Sequence, residues 1–342
     1  MIESNKLYDF VLPENLIAQS PATPRDSAKL LVYSLADGSI TDSTFKELDK
    51  FLATNTTLIL NNSKVEECRW LFDKNKTEIF VLEKIDSYTV RAIVRPGRKF
   101  KLGKAINLTD WLSALVTAVD TEGIRTMKLN IRHDNSRLKK YEHIPLPPYI
   151  AQDDSLADEY QTVFAKPVGS LAAPTAGLHF TCELLKEISQ KHNIAELTLH
   201  VGLGTFAKLT MENLKSGRLH SESYRLTDSS LQKIQSASHI TAVGTTSVRT
   251  LESVFKAESP KLKADGSTDI FIRPGHKFCK VDSMITNFHL PSTSLLMLVA
   301  AFIADKKSIN EKQAAEELMR IYNHAIEQKY RFYSFGDAML LV

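Results

Sequence analysis

Hydrophobic and polar positions alternate in two different rhythms along the chain. Between residues 67 and 149, apolar residues recur at every second position in short segments such as 77–82, 89–94 and 126–131. A period of two predicts strands with one buried face, and a series of them predicts a small β-barrel. Outside this stretch, apolar runs such as 240–243 lead into glycine-containing loops and then into helical spacing. That second rhythm predicts an α/β domain.

One stretch of the α/β part, Ser170-Leu-Ala-Ala-Pro-Thr-Ala-Gly-Leu-His-Phe-Thr181, combines small residues with a histidine. Leu184, Leu185 and Ile188 follow at helical spacing, so we expect a helix capped by Thr181, with His179 in the turn before it. Small residues let a ligand approach the backbone, and Gly177 permits unusual dihedral angles. The stretch therefore predicts a binding loop. A tight buried connection with a core histidine is the alternative.

Three other segments carry local predictions. Residues 160–164 have strand character. Residues 284–290 predict a strand stopped by Pro291, with Ser292 capping the apolar helix that follows. Residues 310–328 bury Leu318, Ile321 and Tyr322 at helical spacing and predict the last long helix.

Composition and charge narrow the class of protein. The chain has 342 residues, of which 43% are hydrophobic and 24% charged, and this predicts a folded protein of about two domains. The apolar run 294–303 is too short to span a membrane, and the polar N-terminus does not resemble a signal peptide, so we expect a cytoplasmic protein. Three scattered cysteines argue against a disulfide framework or a structural metal.

Four histidines are candidates for chemistry because each lies at a predicted strand end or loop junction. They are His179, His200, His220 and His289, and singly each is more typical of a structural histidine. None has the spacing of a metal ligand, which favours proton transfer and hydrogen bonding. On a strand, His220, Glu222 and Tyr224 would share one face. The loops 202–206 and 244–249 could hold an anion, although neither matches a nucleotide-binding fingerprint.

Basic residues concentrate in two turns of the predicted barrel. The first turn is Arg95-Pro-Gly-Arg-Lys-Phe-Lys101, and the second contains Arg132, Arg137, Lys139 and Lys140. Either turn could contact phosphate, whereas charged turns on β domains are more often only solvated. A formal net charge of +3 permits a nucleic-acid partner without requiring one.

Six motifs of the chain are distinctive when they are taken in order. They are Ala172-Ala-Pro-Thr-Ala-Gly-Leu-His-Phe-Thr181, Leu199-His-Val-Gly-Leu-Gly-Thr-Phe206, His220-Ser-Glu222, Gly244-Thr-Thr-Ser-Val-Arg-Thr-Leu-Glu252, Thr286-Asn-Phe-His-Leu-Pro291 and Tyr330-Arg-Phe-Tyr-Ser-Phe-Gly-Asp-Ala-Met339. These motifs resemble those of the S-adenosylmethionine:tRNA ribosyltransferase-isomerase (QueA) family of queuosine biosynthesis, and the resemblance runs from end to end. Two positions depart from the usual family pattern, which has a proline near Lys208 and a lysine where this chain has Ser292.

The resemblance implies a reaction and a fold. The ribosyl part of S-adenosylmethionine would pass to 7-aminomethyl-7-deazaguanine at the wobble position of a tRNA, leaving epoxyqueuosine and releasing adenine and methionine. The implied fold is a larger mixed-sheet α/β/α domain, residues 1–66 plus 150–342, with residues 67–149 inserted as a small all-β, Greek-key-like barrel. The tRNA would lie across the cleft between the two domains. We expect a monomer that uses S-adenosylmethionine as co-substrate and requires no other cofactor and no metal.

These expectations yield hypotheses for individual residues. His179 and His220 are the acid–base candidates, with Glu222 orienting one of them. The candidate phosphate contacts of the tRNA are Arg95, Arg98, Lys99 and Lys101. The candidate substrate-binding residues are Arg25, Asp26, Asn61, Thr175, Gly177, His200, Gly202, Gly204, Thr205, Gly244, Thr245, Thr246, Asn287, His289 and Asp337.

Two other classes of protein remain open from the residues alone. A nucleotide- or phosphosugar-binding enzyme without RNA would keep the glycine loops but show no salt-dependent tRNA binding. A non-catalytic RNA-binding protein would need the basic barrel but not the polar residues around His179, His220 and Glu222.

Overall fold

The computed structural model describes residues 7–151, 153–202, 210–255 and 262–342. Within these ranges the helices are α1 (Cys182–Ser189), α2 (Met211–Ser216), α3 (Asp228–Ser236), α4 (Thr245–Val254), α5 (Ser294–Lys307) and α6 (Glu311–Glu327). The strands are β1 (Lys29–Tyr33), β2 (Ile40–Thr44), β3 (Thr57–Asn61), β4 (Lys64–Val65), β5 (Arg69–Phe72), β6 (Thr77–Lys84), β7 (Thr89–Arg95), β8 (Ala105–Asn107), β9 (Ser113–Val119), β10 (Arg125–Leu129), β11 (Glu142–His143), β12 (Val168–Ser170), β13 (Asn193–Leu199), β14 (Arg218–Leu226), β15 (Ile240–Val243), β16 (Asp265–Ile270), β17 (Ser283–Asn287) and β18 (Ala338–Leu341).

The chain divides into two compact units. The larger unit comprises Met1–Lys64, Pro147–Ala151 and Asp158–Val342, and the smaller comprises Val65–Leu146 and Gln152–Ala157. Whether these units are a catalytic domain and an insertion in the functional sense stays a prediction.

A nine-stranded mixed sheet forms the centre of the larger unit, in the order β16-β14-β13-β3-β15-β17-β18-β1-β2. The strands β13, β3, β15 and β17 run parallel to one another, and β1 runs parallel to β18. The remaining neighbours in the sheet are antiparallel. The expectation of an α/β fold with a large mixed sheet is confirmed.

Alternate residues of the central strands enter two separate cores, one on each face of the sheet. On β1, Leu31 and Tyr33 join the core built with α4, α5 and α6, whereas Leu30 and Val32 join the core built with α1 and Phe45. Strand β18 divides its residues between the two cores in the same way. Burial on both faces explains why these strands are continuous apolar runs in the sequence.

The smaller unit is an antiparallel sheet of seven strands in the order β11-β5-β6-β7-β10-β9-β8. Along β6 and β7 every second residue is buried, which matches the period of two in the sequence. An all-β unit is therefore confirmed, and its description as a Greek-key-like barrel stays a prediction.

Most local predictions are confirmed. Helix α1 begins after Thr181, whose hydroxyl accepts a hydrogen bond from the backbone N–H of Leu184 at 3.1 Å. Helix α6 begins after Asn310, which forms a reciprocal cap with Gln313. The predicted cap at Ser292 is wrong, because α5 starts one residue later than that cap requires and Thr293 occupies the position before it. Ser292 instead adopts a left-handed backbone with φ of 57°.

The strand predicted at residues 160–164 is also wrong, because this segment forms turns. The guanidinium of Arg25 donates to the carbonyl oxygens of Gln161 at 2.6 Å and Glu159 at 3.2 Å, and to the Glu159 carboxylate at 3.0 Å. One backbone acceptor of the predicted strand, that of Gln161, is thus used by a side chain.

Candidate active site

A pocket of about 510 Å³ opens in the larger unit at the carboxyl ends of β15 and β17. Ligand sites in open α/β sheets are usually found at this edge. Much of its wall is formed by the loop before α1, the start of α4 and the chain between β17 and α5. Tyr333 and Ser334, from the segment that precedes β18, complete this part of the wall. The lining residues used below are Asp9, Tyr149, Tyr160, Ala173, Thr175, Ala176, Gly244, Thr245, Thr246, Thr286, Asn287, Phe288, His289, Ser292, Tyr333 and Ser334.

The pocket combines an aromatic wall with hydroxyl and amide groups. The rings of Tyr149 and Tyr333 stack with their centroids 4.3 Å apart, and the Tyr149 hydroxyl is 2.5 Å from Ser334 Oγ. Among the described residues that line the pocket, Asp9 alone has a formal charge at neutral pH. A planar ligand with positive charge would therefore match this surface.

The start of α4 contributes backbone amides and two hydroxyl side chains. Gly244 has φ of 87°, a conformation that favours glycine, and Thr245 and Thr246 open the helix beside it. The first N–H groups of a helix lack intrahelical acceptors and attract negative charge. The loop predicted to hold an anion is thus present at the pocket wall.

Asn61 supports this loop from the end of β3. Its amide nitrogen donates to the carbonyl oxygen of Leu199 at 3.0 Å and lies 3.3 Å from Thr246 Oγ1. Its oxygen accepts from the backbone N–H groups of Ser63 and Leu199. Every polar atom of this buried amide has a protein partner, so Asn61 joins β3 to β13 and α4.

His179 is buried behind the pocket wall and is not one of the residues that line it. Its ring packs against Phe45 with centroids 5.0 Å apart, and its Nε2 is 3.2 Å from Asn287 Nδ2. Burial, together with the charges of Arg331 and Arg25, lowers the pKa of His179 to about 3. The imidazole is therefore neutral at physiological pH.

His289 does line the pocket. Its Nε2 is 2.9 Å from the hydroxyl oxygen of Thr286, and burial lowers the pKa of this histidine to about 3. The ring is therefore neutral at pH 7 and takes part as a hydrogen-bonding group.

Glu222 and His220 lie on β14, but the expectation that they share a face is wrong. Glu222 and Tyr224 are buried, whereas His220 is exposed. The pairing of β14 with β16 shifts register between Arg218 and Glu222, so the alternation of faces does not continue through His220. The carboxylate of Glu222 pairs with Arg249 and accepts from the N–H of Gly202 at 2.9 Å.

The other candidate residues are dispersed. Asp337 accepts hydrogen bonds from the backbone N–H groups of Lys29 and Arg331 and so fixes the chain before β18. Asp26 is half-buried in the turn after Pro24, and the His200 ring lies over Gly169. The predicted residues Gly204 and Thr205, and the departure at Lys208, lie outside the described residues.

Gly177 is required for space and not for an unusual backbone. A Cβ atom at this position would be 2.7 Å from Phe164 Cζ and 3.0 Å from Thr162 Cγ2, and its φ is not positive. The glycine thus allows the loop before α1 to pack on the interior.

We expect Gly177→Ala to lower the free energy of unfolding by about 1–3 kcal/mol, because the buried Phe164 ring must move. Urea denaturation measures this change. Gly202→Ala is the matched control, since its Cβ would approach no described atom closer than 3.7 Å. Equal losses in the two variants would contradict the steric explanation.

The basic turn of the smaller unit follows β7. Arg95, Arg98, Lys99 and Lys101 are exposed, while Phe100 between them is buried and anchors the turn. Lys99 Nζ donates to Thr77 Oγ1 at 3.0 Å. The turn thus presents four positive side chains to solvent.

Two pocket residues, Tyr149 and Asp9, were missed in the sequence. They come from distant parts of the chain, and only the rigid proline-rich segment before Tyr149 could have indicated that its ring is held in place. Tyr333 lies within the motif Tyr330–Met339 that carries the family resemblance. Among described residues, no cluster of three or more His, Cys, Asp or Glu side chains is placed to hold a metal ion. No helix in the described ranges has the length and apolar character to cross a membrane.

The comparisons with known proteins agree with one another. A family model described as queuosine biosynthesis protein matches residues 5–341. The S-adenosylmethionine:tRNA ribosyltransferase-isomerase of Sulfurihydrogenibium sp. (strain YO3AOP1) is 42% identical over 346 residues, and that of Thermosipho melanesiensis is 41% identical over 342 residues. Each alignment covers 98% of this chain and 98% of the relative.

A solved structure gives the same result. The crystal structure of the S-adenosylmethionine tRNA ribosyltransferase from Thermotoga maritima is 32% identical and covers 98% of this chain and 100% of its own, with a TM-score of 0.55. The chain is a mixed α/β enzyme with its candidate site at the carboxyl edge of a sheet. It belongs to the queuosine biosynthesis protein family. The family expected from the motifs is confirmed, as is the expectation that the protein is a ribosyltransferase-isomerase.

Proposed function

We propose that this enzyme transfers and isomerises the ribosyl moiety of S-adenosylmethionine onto 7-aminomethyl-7-deazaguanine at the wobble position of a tRNA. The products are epoxyqueuosine in the tRNA, adenine and methionine. The end-to-end family match supports the proposal, because relatives of about 40% identity are named for S-adenosylmethionine and tRNA. The relatives' names also favour it over a nucleotide-binding enzyme without RNA.

The pocket described above supports S-adenosylmethionine as the donor. Its volume of about 510 Å³ lies in the range of small-molecule sites. The sulfonium and ammonium charges of the donor would face Asp9 and the aromatic wall. The methionine carboxylate or the ribose would meet the amides and hydroxyls of Gly244, Thr245 and Thr246. No resident metal or second cofactor enters the proposal.

The chemistry requires proton transfers around the ribose. The sulfonium acidifies the adjacent C5′, a base removes that proton, and the departing adenine takes up a proton. The aminomethyl nitrogen then adds to the ribosyl group as the sugar C–O bond opens, and the deprotonated C5′ closes a five-membered carbon ring onto C1′. The oxygen on C1′ displaces methionine from C5′ and so closes the epoxide. His179 and His289 are both neutral at pH 7, so neither would protonate adenine as an imidazolium. The assignment of acid–base roles to His179, His220 and Glu222 stays a prediction.

Incubation of the protein with S-adenosylmethionine and a tRNA bearing 7-aminomethyl-7-deazaguanine tests the proposal. We expect equimolar release of adenine and methionine, together with a nucleoside of epoxyqueuosine mass. The same tRNA with unmodified guanine at the wobble position is the control. Absence of turnover by a folded protein that binds this tRNA would refute the proposed reaction.

The tRNA contact proposed for Arg95, Arg98, Lys99 and Lys101 makes a separate prediction. Replacing all four with alanine should weaken tRNA binding at least about 10-fold at low salt. It should also reduce the slope of log affinity against log salt by about 1 for each phosphate that the variant no longer binds. Filter binding over a range of salt concentrations measures both quantities.

A charge-matched control comes from four exposed lysines of the larger unit, Lys46, Lys215, Lys277 and Lys312. Replacing these four lysines with alanine should change the slope of log tRNA affinity against log salt less than the variant of the basic turn does. Unchanged affinity in the turn variant would remove this turn from the tRNA interface. Monomeric state and cytoplasmic location stay predictions.

A further inference from the structure

The amide of Asn287 has only one possible orientation. One of its terminal atoms is 3.3 Å from the carbonyl oxygen of Tyr333, which can only accept a hydrogen bond. That atom must therefore be Nδ2. The same nitrogen is 3.2 Å from His179 Nε2, so both of its hydrogens are used within the protein.

This orientation defines the protonation state of His179. Because Asn287 Nδ2 donates to it, His179 Nε2 must be an unprotonated acceptor, and the proton of the neutral ring is on Nδ1. Burial of the ring, which is 4% exposed, favours the neutral form as well. His179 thus acts on the pocket through Asn287 without lining it.

The oxygen of Asn287, a residue that lines the pocket, is buried and left without a partner. Asn287 is 2% exposed and lines the pocket, and its Oδ1 forms no hydrogen bond with any of the residues that the structure describes. An unsatisfied buried acceptor costs free energy that a ligand donor would recover. Asn287 therefore places an unsatisfied acceptor in the wall of the pocket.

We propose that Asn287 Oδ1 accepts a hydrogen bond from the 6-amino group of the adenine of S-adenosylmethionine, and that His179 is the positioning residue that holds the amide in this orientation. This inference rests on the proposed function. It makes Asn287 the group that recognises the adenine which later leaves.

The surroundings of Asn287 favour a purine amino group over a ribose hydroxyl. Asn287 is hydrogen-bonded to the backbone of Tyr333, whose ring stacks on Tyr149 and offers a flat apolar surface. Ala173 also lines the pocket. A purine ring places its faces on such walls and its amino group at an edge, where a single acceptor can meet it. Because both Nδ2 hydrogens are used, the contact is through the oxygen alone.

The direct test compares two donors in two proteins. The donors are S-adenosylmethionine and its analogue with hydrogen at position 6 of the purine, and the proteins are the wild type and Asn287→Ala. For each protein we take the ratio of kcat/KM with S-adenosylmethionine to kcat/KM with the analogue. We expect this ratio to be about 10-fold or more larger in the wild type than in Asn287→Ala. Differences in leaving-group chemistry appear in both proteins and cancel in this ratio of ratios.

An equal preference in the two proteins would overturn the assignment of the amino group. If the variant instead lost its preference between ribose-modified donors, a sugar hydroxyl would be the partner of Oδ1. Loss of turnover by the wild type with both donors would be a failure of the proposed function, and it is distinguishable from either result.

The role of His179 is tested by replacing it with a residue that can accept a hydrogen bond from Asn287 and with one that cannot. Glutamine can accept from Asn287 through its side-chain oxygen, whereas leucine cannot. We expect His179→Gln to retain kcat within about 3-fold, and His179→Leu to raise the KM for S-adenosylmethionine about 10-fold. If both variants lose kcat equally, His179 is an acid–base catalyst and the positioning role is wrong.

A matched control and a spectroscopic readout complete the test. His239 contacts Ser283 at the opposite end of β17 from Asn287, with 2.8 Å between His239 Nε2 and Ser283 Oγ, so His239→Gln should leave KM unchanged. In protein labelled with ¹⁵N-histidine, the ring-nitrogen signals that are absent from His179→Gln belong to His179. Between pH 5.5 and 8 these signals should be those of a neutral ring with its proton on Nδ1. A protonated Nε2 in that range would contradict the proposal, whether or not the enzyme turns over.

Discussion

Replacing Glu222 with alanine is expected to lower the free energy of unfolding by about 3–5 kcal/mol, which is among the largest effects of any single substitution in this chain. The side chains of Glu222 and Arg249 are 2% and 9% exposed and form an ion pair. Removing the carboxylate leaves a buried guanidinium without its charge partner and takes the acceptor away from the N–H of Gly202. Urea or thermal denaturation measures the loss.

The double variant Glu222→Leu with Arg249→Leu separates stability from activity. Because replacing both members of a buried ion pair with apolar residues is often neutral, we expect the double variant to recover much of the lost stability. A stable but inactive double variant would support the catalytic role predicted for Glu222, and a stable, active one would leave the pair with a structural role. The exposed pair of Arg218 and Asp269 is the control, and Asp269→Ala should have no measurable effect on stability. A loss in Glu222→Ala no greater than in Asp269→Ala would contradict the expectation.

Acid should destabilise the protein through its two buried neutral histidines. Burial lowers the pKa values of His179 and His289 from 6.5 to about 3, so between these limits the unfolded chain binds protons that the folded protein does not. Stability is therefore unaffected by these groups above pH 6.5. It falls as the pH decreases toward 3, by about 1.4 kcal/mol per pH unit for each histidine.

The contribution of one histidine is isolated by comparing variants. Urea denaturation at pH 7, 6, 5 and 4 gives the free energy of unfolding of the wild type and of His289→Gln as a function of pH. As the pH falls, the advantage of the wild type over the variant should shrink by about 1.4 kcal/mol per pH unit. His220→Gln is the control, because that ring is exposed to solvent. Parallel profiles for the wild type and His289→Gln would show that His289 becomes protonated in the folded protein.

The sequence was most informative where local chemistry decides the structure. Strand β15 and the Thr181 cap of α1 follow from a short apolar run and a single hydroxyl, and each is found where it was expected. Six of the predicted substrate-binding residues line the pocket because parallel strands end at a common edge. They are Thr175, Gly244, Thr245, Thr246, Asn287 and His289.

The failures came from contacts between distant parts of the chain. The strand character of residues 160–164 is overridden by the guanidinium of Arg25, which takes the backbone acceptor of Gln161 and that of Glu159 just before the segment. The face of His220 depends on a register shift with β16, which is about fifty residues further along the chain. Gly177 was expected to provide unusual dihedral angles, whereas a glycine is needed there because Phe164 occupies the space beside it; its role in substrate binding stays a prediction.

Strand β18 has a consequence for how the protein is made. Residues 338–341 lie between β17 and β1, inside the nine-stranded sheet and not at its edge. During synthesis the hairpin of β1 and β2 is translated early, yet it cannot join the rest of the sheet until the ribosome has released these residues. Until β18 is available, β17 and β1 each expose an unpaired strand edge, which is open to pairing with other chains.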